Sequence, residues 1–244
     1  MSESDEEISL SANALAALQE FQLEEHQRQE EFQKLYEEAD RKFLIGKDQT
    51  GMELFEEDWQ LSQFWYTEKT ASLLADALLQ GADENTVVAV VSAPSVYAAI
   101  LKKYGDKLPT QHIYLFEYDK RFELMAGKDK FFFYDYSKPL EFENTLKGKV
   151  DRLLIDPPFL NRHCQENSSI AAKALLAPDV GAKTSFGVEK HRMMSCTGER
   201  MESIIAEIYP STKMTTFMPE HANGLSNEFR CYADFEWDEW TFRL

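Results

Sequence analysis

Cysteine is scarce in this sequence, and the residues that occur, Cys164, Cys196 and Cys231, lie far apart. They form no CxxC pair, which argues against both a disulfide framework and a structural zinc site. Apolar runs are short as well, because none approaches the ~20 residues needed to cross a bilayer. Residues 1–7 are acidic and polar, unlike a signal or transit peptide. We therefore expect no membrane segment and a reducing, cytoplasmic location.

Positive charge is also scarce. The 244 residues include 26 Lys and Arg against 43 Asp and Glu, which gives a net charge of −17. Proteins that bind nucleic acid normally present a basic surface, because neutralising phosphates supplies most of their affinity. The charge balance therefore argues against nucleic acid and favours a protein or small-molecule partner. A monomer is the default expectation for the oligomeric state.

The common catalytic signatures are missing too. The chain has no Walker loop, no GxGxxG and no GxSxG elbow. Its five histidines form no HxxxH or HxH pair, so we expect no metal site. His163 and Cys164 are adjacent in sequence, but adjacency does not make a catalytic pair, and we interpret both as loop residues.

The sequence instead contains short apolar runs that alternate with amphipathic stretches. Continuous apolar runs are typical of strands buried on both faces of a parallel sheet. They predict strands at 87–91, 113–116, 131–134, 150–155 and 192–197, and a closing pair of strands at 214–218 and 229–235. The amphipathic stretches predict four helices: one capped by Thr67, one at 96–104 with Pro94 in its first turn, one at 168–177 and one at 199–209. This alternation predicts an open, mostly parallel α/β sheet.

The chain is predicted to have two parts. Residues 1–50 are expected to form an acidic tail and a helical extension that begins at Ser9 or Ser11. We interpret this extension as a long helix with a solvated middle rather than as a partner-binding arm. Residues 51–244 are expected to form the main domain, with 178–190 as an exposed insertion.

Small or acidic residues follow each of the first four predicted strands. They are Ser92, Ala93 and Pro94 after the first, Glu117 and Asp119 after the second, Asp135 and Tyr136 after the third, and Asp156 after the fourth. Ligands of open α/β sheets bind beyond the carboxyl ends of the strands, where an acid can accept hydrogen bonds from ribose hydroxyls. One acid alone is more often a turn or cap residue. Acids after three consecutive strands favour a binding site.

The segment Asp156-Pro157-Pro158-Phe159 is the most informative motif. The two prolines make a stiff bend whose carbonyls lack local donors, and they bias Asp156 to an extended conformation. A carboxylate on such a loop can accept N–H bonds from an amine and aim its lone pair, while Phe159 packs against the amine or faces a sulfonium. The alternative is an ordinary Pro-Pro turn that stops a strand, and the tetrapeptide alone leaves both open.

The order of the motifs adds a family resemblance. Asp156 to Phe159 resembles the (Asp/Asn/Ser)-Pro-Pro-(Tyr/Phe/Trp) motif of amino-methyltransferases. The whole chain resembles one seven-strand branch, the elongation factor 1-alpha lysine methyltransferases, whose members were first labelled N6-adenine-specific DNA methyltransferases. The resembling stretches are 10–21, 59–66, 92–97, 116–122, 133–136, 156–159, 196–198 and 227–232. The resemblance implies a Rossmann-like class I methyltransferase sheet with flanking helices, and S-adenosylmethionine as the cofactor.

The resemblance also assigns residues to the methyl donor. It places Thr67 and the stretch Phe64-Trp65-Tyr66 beside the methionine end of the donor, and Ser92, Ala93 and Pro94 in the donor-binding loop. The usual Gly-x-Gly of methyltransferases is absent from that loop, so binding there must rely on small side chains and Pro94. It places Glu117 on the ribose hydroxyls, with Asp119 as the alternative. Asp135 would accept from the adenine amino group, and Tyr136 is grouped with it among the donor-binding residues.

On the acceptor side the resemblance implies that Asp156, Pro157, Pro158 and Phe159 hold the target amine. It implies that Asn227 and Glu228 shape the substrate entrance, although a turn with Asn223-Gly224 explains these two equally well.

Three functions are compatible with these observations. The first is a protein-lysine N-methyltransferase acting on elongation factor 1-alpha, a substrate that comes from the resemblance alone; the acidic chain suits a basic partner. The second is an adenine-N6 methyltransferase on DNA or RNA, which would have to extract the base into an aromatic pocket, yet no basic groove is visible. The third is a non-catalytic donor-binding scaffold, against which the amine-holding motif argues.

Overall fold

The computed structural model describes residues 52, 55, 63–142, 144–224 and 228–243. The helical extension predicted for 1–50 lies outside the described residues, and so does Asn227. The division of the chain at residue 50 therefore stays a prediction.

Seven strands and five helices alternate along the described ranges. In chain order they are α1 Glu68–Leu79, β1 Val88–Val91, α2 Pro94–Tyr104, β2 Ile113–Glu117, α3 Glu123–Ala126, β3 Phe131–Phe133, β4 Arg152–Ile155, α4 Arg162–Leu175, β5 Arg192–Gly198, α5 Glu202–Ile208, β6 Lys213–Met214 and β7 Phe229–Ala233. Short 3-10 helices lead into α3 and α5, at Lys120–Phe122 and Glu199–Met201. The predicted alternation of strands and helices is confirmed.

The strands form one sheet in the order β3-β2-β1-β4-β5-β7-β6. β1 to β5 pair in parallel, whereas β7 runs antiparallel to both β5 and β6. The Rossmann-like seven-strand fold predicted for the chain is confirmed. The strand order reverses between β1 and β4, and such a switch point opens a crevice at the carboxyl ends of the strands. Residues that follow β1, β2, β3 and β4 therefore converge there.

The core explains why these segments form strands and helices. Every residue of β1 and β4 is buried, as expected for central parallel strands with helices on both faces. α1 begins at Thr67, whose hydroxyl accepts a hydrogen bond from the Thr70 amide, so the predicted cap is confirmed. The apolar stripe of α1, which includes Leu74 and Leu78, is completely buried.

Two buried arginines at the amino ends of β4 and β5 hold the end of α1. Arg152 donates to the carbonyls of Leu78 and Gln80 at 2.7 and 2.8 Å, and Arg192 donates to the carbonyl of Ala77. The last carbonyls of a helix lack intrahelical partners and favour a cation. Burial lowers the pKa of Arg152 to about 10, so the guanidinium stays charged at neutral pH. The same helix thereby fixes the segment before it, which reaches the carboxyl edge of the sheet.

Two predicted boundaries differ from the structure by four residues or more. α4 begins at Arg162 instead of 168, because the Asn161 side chain caps it by accepting from the Cys164 amide at 2.9 Å. His163 and Cys164 are therefore helical rather than loop residues. The strand predicted at 214–218 stops at Met214, because the following residues pair with the end of the chain instead, as in the Thr215–Phe242 bridge.

The insertion predicted to be exposed at 178–190 is partly anchored. Its Thr184 side chain is buried, and the Ser185 amide donates to Asp83 Oδ2 at 2.7 Å. Arg152 also donates to the carbonyls of Glu189 and Lys190. Most of the segment is nevertheless exposed as predicted, including Val180, which is 62% exposed, and Phe186, which is 71% exposed. In the ranges that the structure covers, no helix has the length and apolar character to span a bilayer.

Candidate active site

A cavity of about 420 Å³ opens at the carboxyl edge of β1, β2 and β4. This volume lies in the range of small-molecule sites. Its lining brings together most of the residues predicted for a site, namely Phe64, Trp65, Ser92, Ala93, Pro94, Glu117, Asp135, Tyr136, Asp156, Pro157, Pro158 and Phe159. The remaining lining residues are Gln63, Ser95, Tyr118, Tyr134, Ser137, His221 and Phe229.

The loop after β1 turns on Ser92, which has a positive φ of 55°. That left-handed conformation normally belongs to glycine, because a Cβ crowds the backbone there. The Ser92 amide is held by the carbonyl of Phe116 at 2.8 Å, and Pro94 begins α2 two residues later. The loop therefore makes a tight turn with a serine in a position that favours glycine.

We expect Ser92→Gly to raise the free energy of unfolding by about 0.5–1 kcal/mol. Relief of the left-handed strain gives about 1–2 kcal/mol, which exceeds the entropy that glycine adds to the unfolded chain, about 0.4–1 kcal/mol. Ser72→Gly is the matched control, because Ser72 lies inside α1 and glycine there lowers stability by roughly 0.5 kcal/mol. Urea unfolding measures both variants, and changes of the same sign would contradict the strain at Ser92.

Glu117 ends β2 with its side chain buried in the wall of the cavity. Its Oε1 accepts hydrogen bonds from the amides of Tyr118 and Asp119, at 2.8 and 3.2 Å. Its Oε2 receives no hydrogen bond from any residue that the structure describes. Burial raises the pKa of Glu117 to about 8, and the nearby charges of Asp119 and Asp156 add to the effect, while the two amide bonds oppose it.

Asp119 does not line the cavity, although it is only two residues away. It is completely buried, and its carboxylate is held by Arg121, at 2.6 Å, and by the side-chain amide of Gln63, at 2.8 Å. It also caps the 3-10 helix that follows β2 by accepting from the Arg121 amide. Its charge is thus neutralised inside the protein, and the geometry favours Glu117 as the acid available to a ligand.

Asp156 lies at the base of the cavity, directly after β4. Its amide donates to the carbonyl of Val91 at 3.0 Å, which ties it to the neighbouring strand β1. The hydroxyl of Tyr66 donates to Asp156 Oδ2 at 2.6 Å. Burial raises the pKa of Asp156 to about 7, and the hydrogen bond from Tyr66 opposes that rise. A carboxylate with this pKa can take up or release a proton near neutral pH.

Aromatic rings form two clusters that Asp156 connects. In one cluster the ring centroids of Tyr66 and His221 lie 4.7 Å apart, and Phe229 lies 4.6 Å from His221. In the other, Phe159 packs edge-on against Tyr136 at 5.6 Å. Asp156 accepts from Tyr66 of the first cluster, and its own loop carries Phe159 of the second. Aromatic faces attract ammonium groups, so these walls suit a lysine amine.

Four other predicted residues lie away from the cavity lining or outside the described ranges. Thr67 caps α1, and Tyr66 reaches the carboxylate of Asp156 from behind the lining. Glu228 is exposed and pairs with Arg230 at 3.0 Å, and Asn227 lies outside the described residues. Their predicted contacts with donor or substrate therefore stay predictions. Within the ranges that the structure describes, no three His, Cys, Asp or Glu side chains are grouped to hold a metal ion.

Sequence reasoning missed several lining residues, above all His221. His221 lies between β6 and β7 and reaches the site because it forms an isolated bridge with Tyr66. That pairing joins residues 155 positions apart in the chain, so no local pattern signals it. Tyr118 and Tyr134 each adjoin a strand end that carried a predicted acid, and that proximity was a usable signal.

Comparison with known proteins shows the family of the chain. The model of a family described as probable N6-adenine methyltransferase matches residues 57–237. Protein-lysine N-methyltransferase EFM5 of Saccharomyces cerevisiae is 67% identical over 233 residues, 96% of this chain and 94% of that protein. EEF1A lysine methyltransferase 1 of Homo sapiens is 38% identical over 235 residues, 96% of this chain and 95% of that protein.

A solved SAM-dependent methyltransferase from Aquifex aeolicus has a TM-score of 0.40 at 11% identity, over 75% of this chain and 94% of that one. This likeness is too weak to support any conclusion beyond the strand order described above. The family match over most of the chain and the two near full-length relatives are sufficient to assign the family. The chain therefore belongs to this family of protein-lysine N-methyltransferases, the one that its motifs predicted.

Proposed function

We propose that this methyltransferase transfers a methyl group from S-adenosylmethionine to a lysine side chain of elongation factor 1-alpha. The observation that carries the proposal is the position of Asp156: a carboxylate on a stiff Pro-Pro bend, at the base of a cavity, between two aromatic clusters. Such a group can accept N–H bonds from an amine and aim its lone pair at a neighbouring electrophile. A non-catalytic donor-binding protein would have no use for it.

The residues of the cavity fit S-adenosylmethionine. Glu117 offers its Oε2 for the ribose hydroxyls, because only Oε1 is engaged by backbone amides. Asp135 accepts from the amide and hydroxyl of Ser137 with Oδ1, at 2.8 and 2.7 Å, which leaves Oδ2 for the adenine amino group. Small residues at 92 and 93 let a ligand approach the backbone before α2. When bound, S-adenosylmethionine supplies a methyl group activated by a positively charged sulfur.

The chain itself contributes positioning and proton transfer. A lysine amine is protonated near neutral pH and must lose a proton before it can act as a nucleophile. Asp156, with a pKa near 7, can accept that proton, or can hold the neutral amine once water has taken it. Alignment of nucleophile and electrophile supplies much of the rate in a direct displacement. Phe159 and the rings around Tyr66 exclude water from the amine and favour its cationic form during entry.

Elongation factor 1-alpha is supported as the acceptor by two arguments. The human relative is named for EEF1A. The net charge of −17 suits a basic protein partner, since opposite charges speed encounter. The description of the family model names adenine instead, so DNA and RNA are the acceptors against which the proposal must be tested.

The test is a transfer assay with radiolabelled S-adenosylmethionine, offering purified elongation factor 1-alpha, duplex DNA and RNA in separate reactions. We expect label on the elongation factor, with its site found by mass spectrometry as a methylated lysine. Label on nucleic acid alone would overturn the proposed substrate. Heat-denatured enzyme gives the background for all three acceptors.

A further inference from the structure

Tyr66 makes a contact that the sequence did not predict. The family resemblance groups it with the donor-binding residues, beside Trp65. Trp65 does line the cavity, but Tyr66 is buried behind it, with 5% of its surface exposed. Its hydroxyl ends 2.6 Å from Asp156 Oδ2. The residue therefore contacts the group proposed to hold the acceptor amine.

The segment around Tyr66 is held firmly against the loop between β6 and β7. Tyr66 bridges to His221, the Thr67 amide donates to the carbonyl of Glu220 at 2.9 Å, and the Ala222 amide donates to the carbonyl of Trp65 at 2.8 Å. The Tyr66 ring packs on His221 at 4.7 Å. A side chain held by backbone on both sides and by a neighbouring ring keeps one position.

We infer that Tyr66 is a positioning residue, whose hydroxyl fixes the Asp156 carboxylate in the rotation that presents Oδ1 to the acceptor amine. The inference rests on the proposed function of Asp156. Within the described residues, Tyr66 is the side chain that hydrogen-bonds to this carboxylate, and it occupies Oδ2. Without the hydrogen bond from Tyr66, the carboxyl group of Asp156 is free to rotate about χ2, a torsion whose energy minima are broad. Tyr66 thus acts through Asp156, not on the donor.

The same hydrogen bond sets the protonation of Asp156. Burial raises the pKa of Asp156, and the bond from Tyr66 lowers it by favouring the carboxylate. The titratable groups around the pair are Glu117 after β2, Cys164 in α4, Cys196 in β5 and His221 beyond the Tyr66 ring. Tyr66 itself stays protonated and a donor, because burial and then the charge of Asp156 raise its pKa well above 10. Loss of the hydroxyl must therefore raise the pKa of Asp156.

The test is Tyr66→Phe, with kcat/KM for elongation factor 1-alpha measured from pH 5.5 to 9 and donor affinity measured by calorimetry. We expect the acid limb of the profile to move to higher pH by about one unit, the shift that corresponds to one hydrogen bond to a charged group. Donor affinity should stay within about twofold of the original protein. The position of the limb reports on protonation, whereas partial misfolding changes only the amplitude.

Tyr104→Phe is the matched control, because the Tyr104 hydroxyl donates to Asp76 Oδ1 at 2.8 Å, between α2 and α1 and outside the cavity. It should leave both the limb and the donor affinity unchanged. An unshifted limb in Tyr66→Phe, or a loss of donor affinity, would overturn the positioning role even if Asp156→Ala has lost turnover. If Asp156→Asn were as active as the original protein, the proposed function of Asp156 would fail first, and the inference with it.

Discussion

Asp156→Ala is expected to lower kcat for methyl transfer by roughly 10²–10⁴-fold, the range for loss of a positioned acid–base group. The substitution removes the carboxylate that holds the amine and accepts its proton, and leaves a small space at the base of the cavity. Donor binding should survive, because Glu117 and the loop at Ser92 lie on other strands. Steady-state kinetics with labelled S-adenosylmethionine measures kcat, and calorimetry measures donor affinity.

Asp156→Asn separates the two tasks of this carboxylate. The amide keeps an oxygen that can accept one N–H bond, but it cannot take up a proton. If proton uptake dominates, the amide variant will be nearly as slow as the alanine variant; if orientation dominates, it will recover part of the rate. Asp76→Ala is the control, because Asp76 lies in α1 and accepts from Lys103 and Tyr104 outside the cavity. Turnover by Asp156→Ala equal to that of Asp76→Ala would remove Asp156 from the mechanism.

The bend from Asp156 to Phe159 was predictable because its backbone chemistry is local. Consecutive prolines restrict the backbone whatever surrounds them, so four adjacent residues predict where the strand ends and which acid follows it. That this segment holds an amine stays a prediction. The choice between Glu117 and Asp119 was not predictable. It depends on Arg121 and on Gln63, which lies 56 residues earlier in the chain and binds the Asp119 carboxylate. Only the folded chain shows which acid already has its partner.

The position of Tyr66 depended on a contact between distant segments as well. Sequence alone does not say which side chains of this aromatic segment face a ligand. Phe64 and Trp65 line the cavity, while Tyr66, which pairs with His221, turns towards Asp156. The alternation of strands and helices, by contrast, depends on apolar periodicity, which any buried segment must show.

The contribution of the loop between β6 and β7 to the cavity was also not predictable from its own sequence. It contains Met218, which is 54% exposed, and His221, which lines the cavity. Its polar and apolar residues show no periodicity that would distinguish a loop lining the cavity from any other loop between strands. Its role comes from the antiparallel strand β7, which brings the loop across the carboxyl edge of the sheet.

Glu117→Gln is expected to weaken binding of S-adenosylmethionine by roughly 5- to 150-fold, which corresponds to the 1–3 kcal/mol of a hydrogen bond to a charged group. The amide has nearly the same shape, so the cavity is preserved while the charge is lost. In the original protein, affinity should rise with pH through about 8, because ribose hydroxyls donate to the ionised carboxyl group. Calorimetry at pH 6 and pH 9 measures both effects, and the variant should lack the dependence on pH.

The stability of the protein should change with pH in the opposite direction. The pKa of Glu117 is about 8 in the folded chain and about 4.5 in the unfolded one, so the folded state binds the proton more tightly. The free energy of unfolding must then fall as pH rises from about 4.5 to about 8, by an amount on the order of 3–5 kcal/mol for this group.

Glu117→Gln cannot ionise, so its urea midpoint should exceed that of the original protein at pH 9 and approach it at pH 4.5. Glu84→Gln serves as the control, because Glu84 is exposed and precedes β1 at the other edge of the sheet. Parallel pH curves for the original protein and Glu117→Gln would show that Glu117 is ionised in the folded protein at no cost. Diverging curves together with weaker donor binding would mean that the same desolvated acid both destabilises the folded protein and recognises the donor. At high pH the ionised carboxylate would then lower the free energy of unfolding and strengthen donor binding.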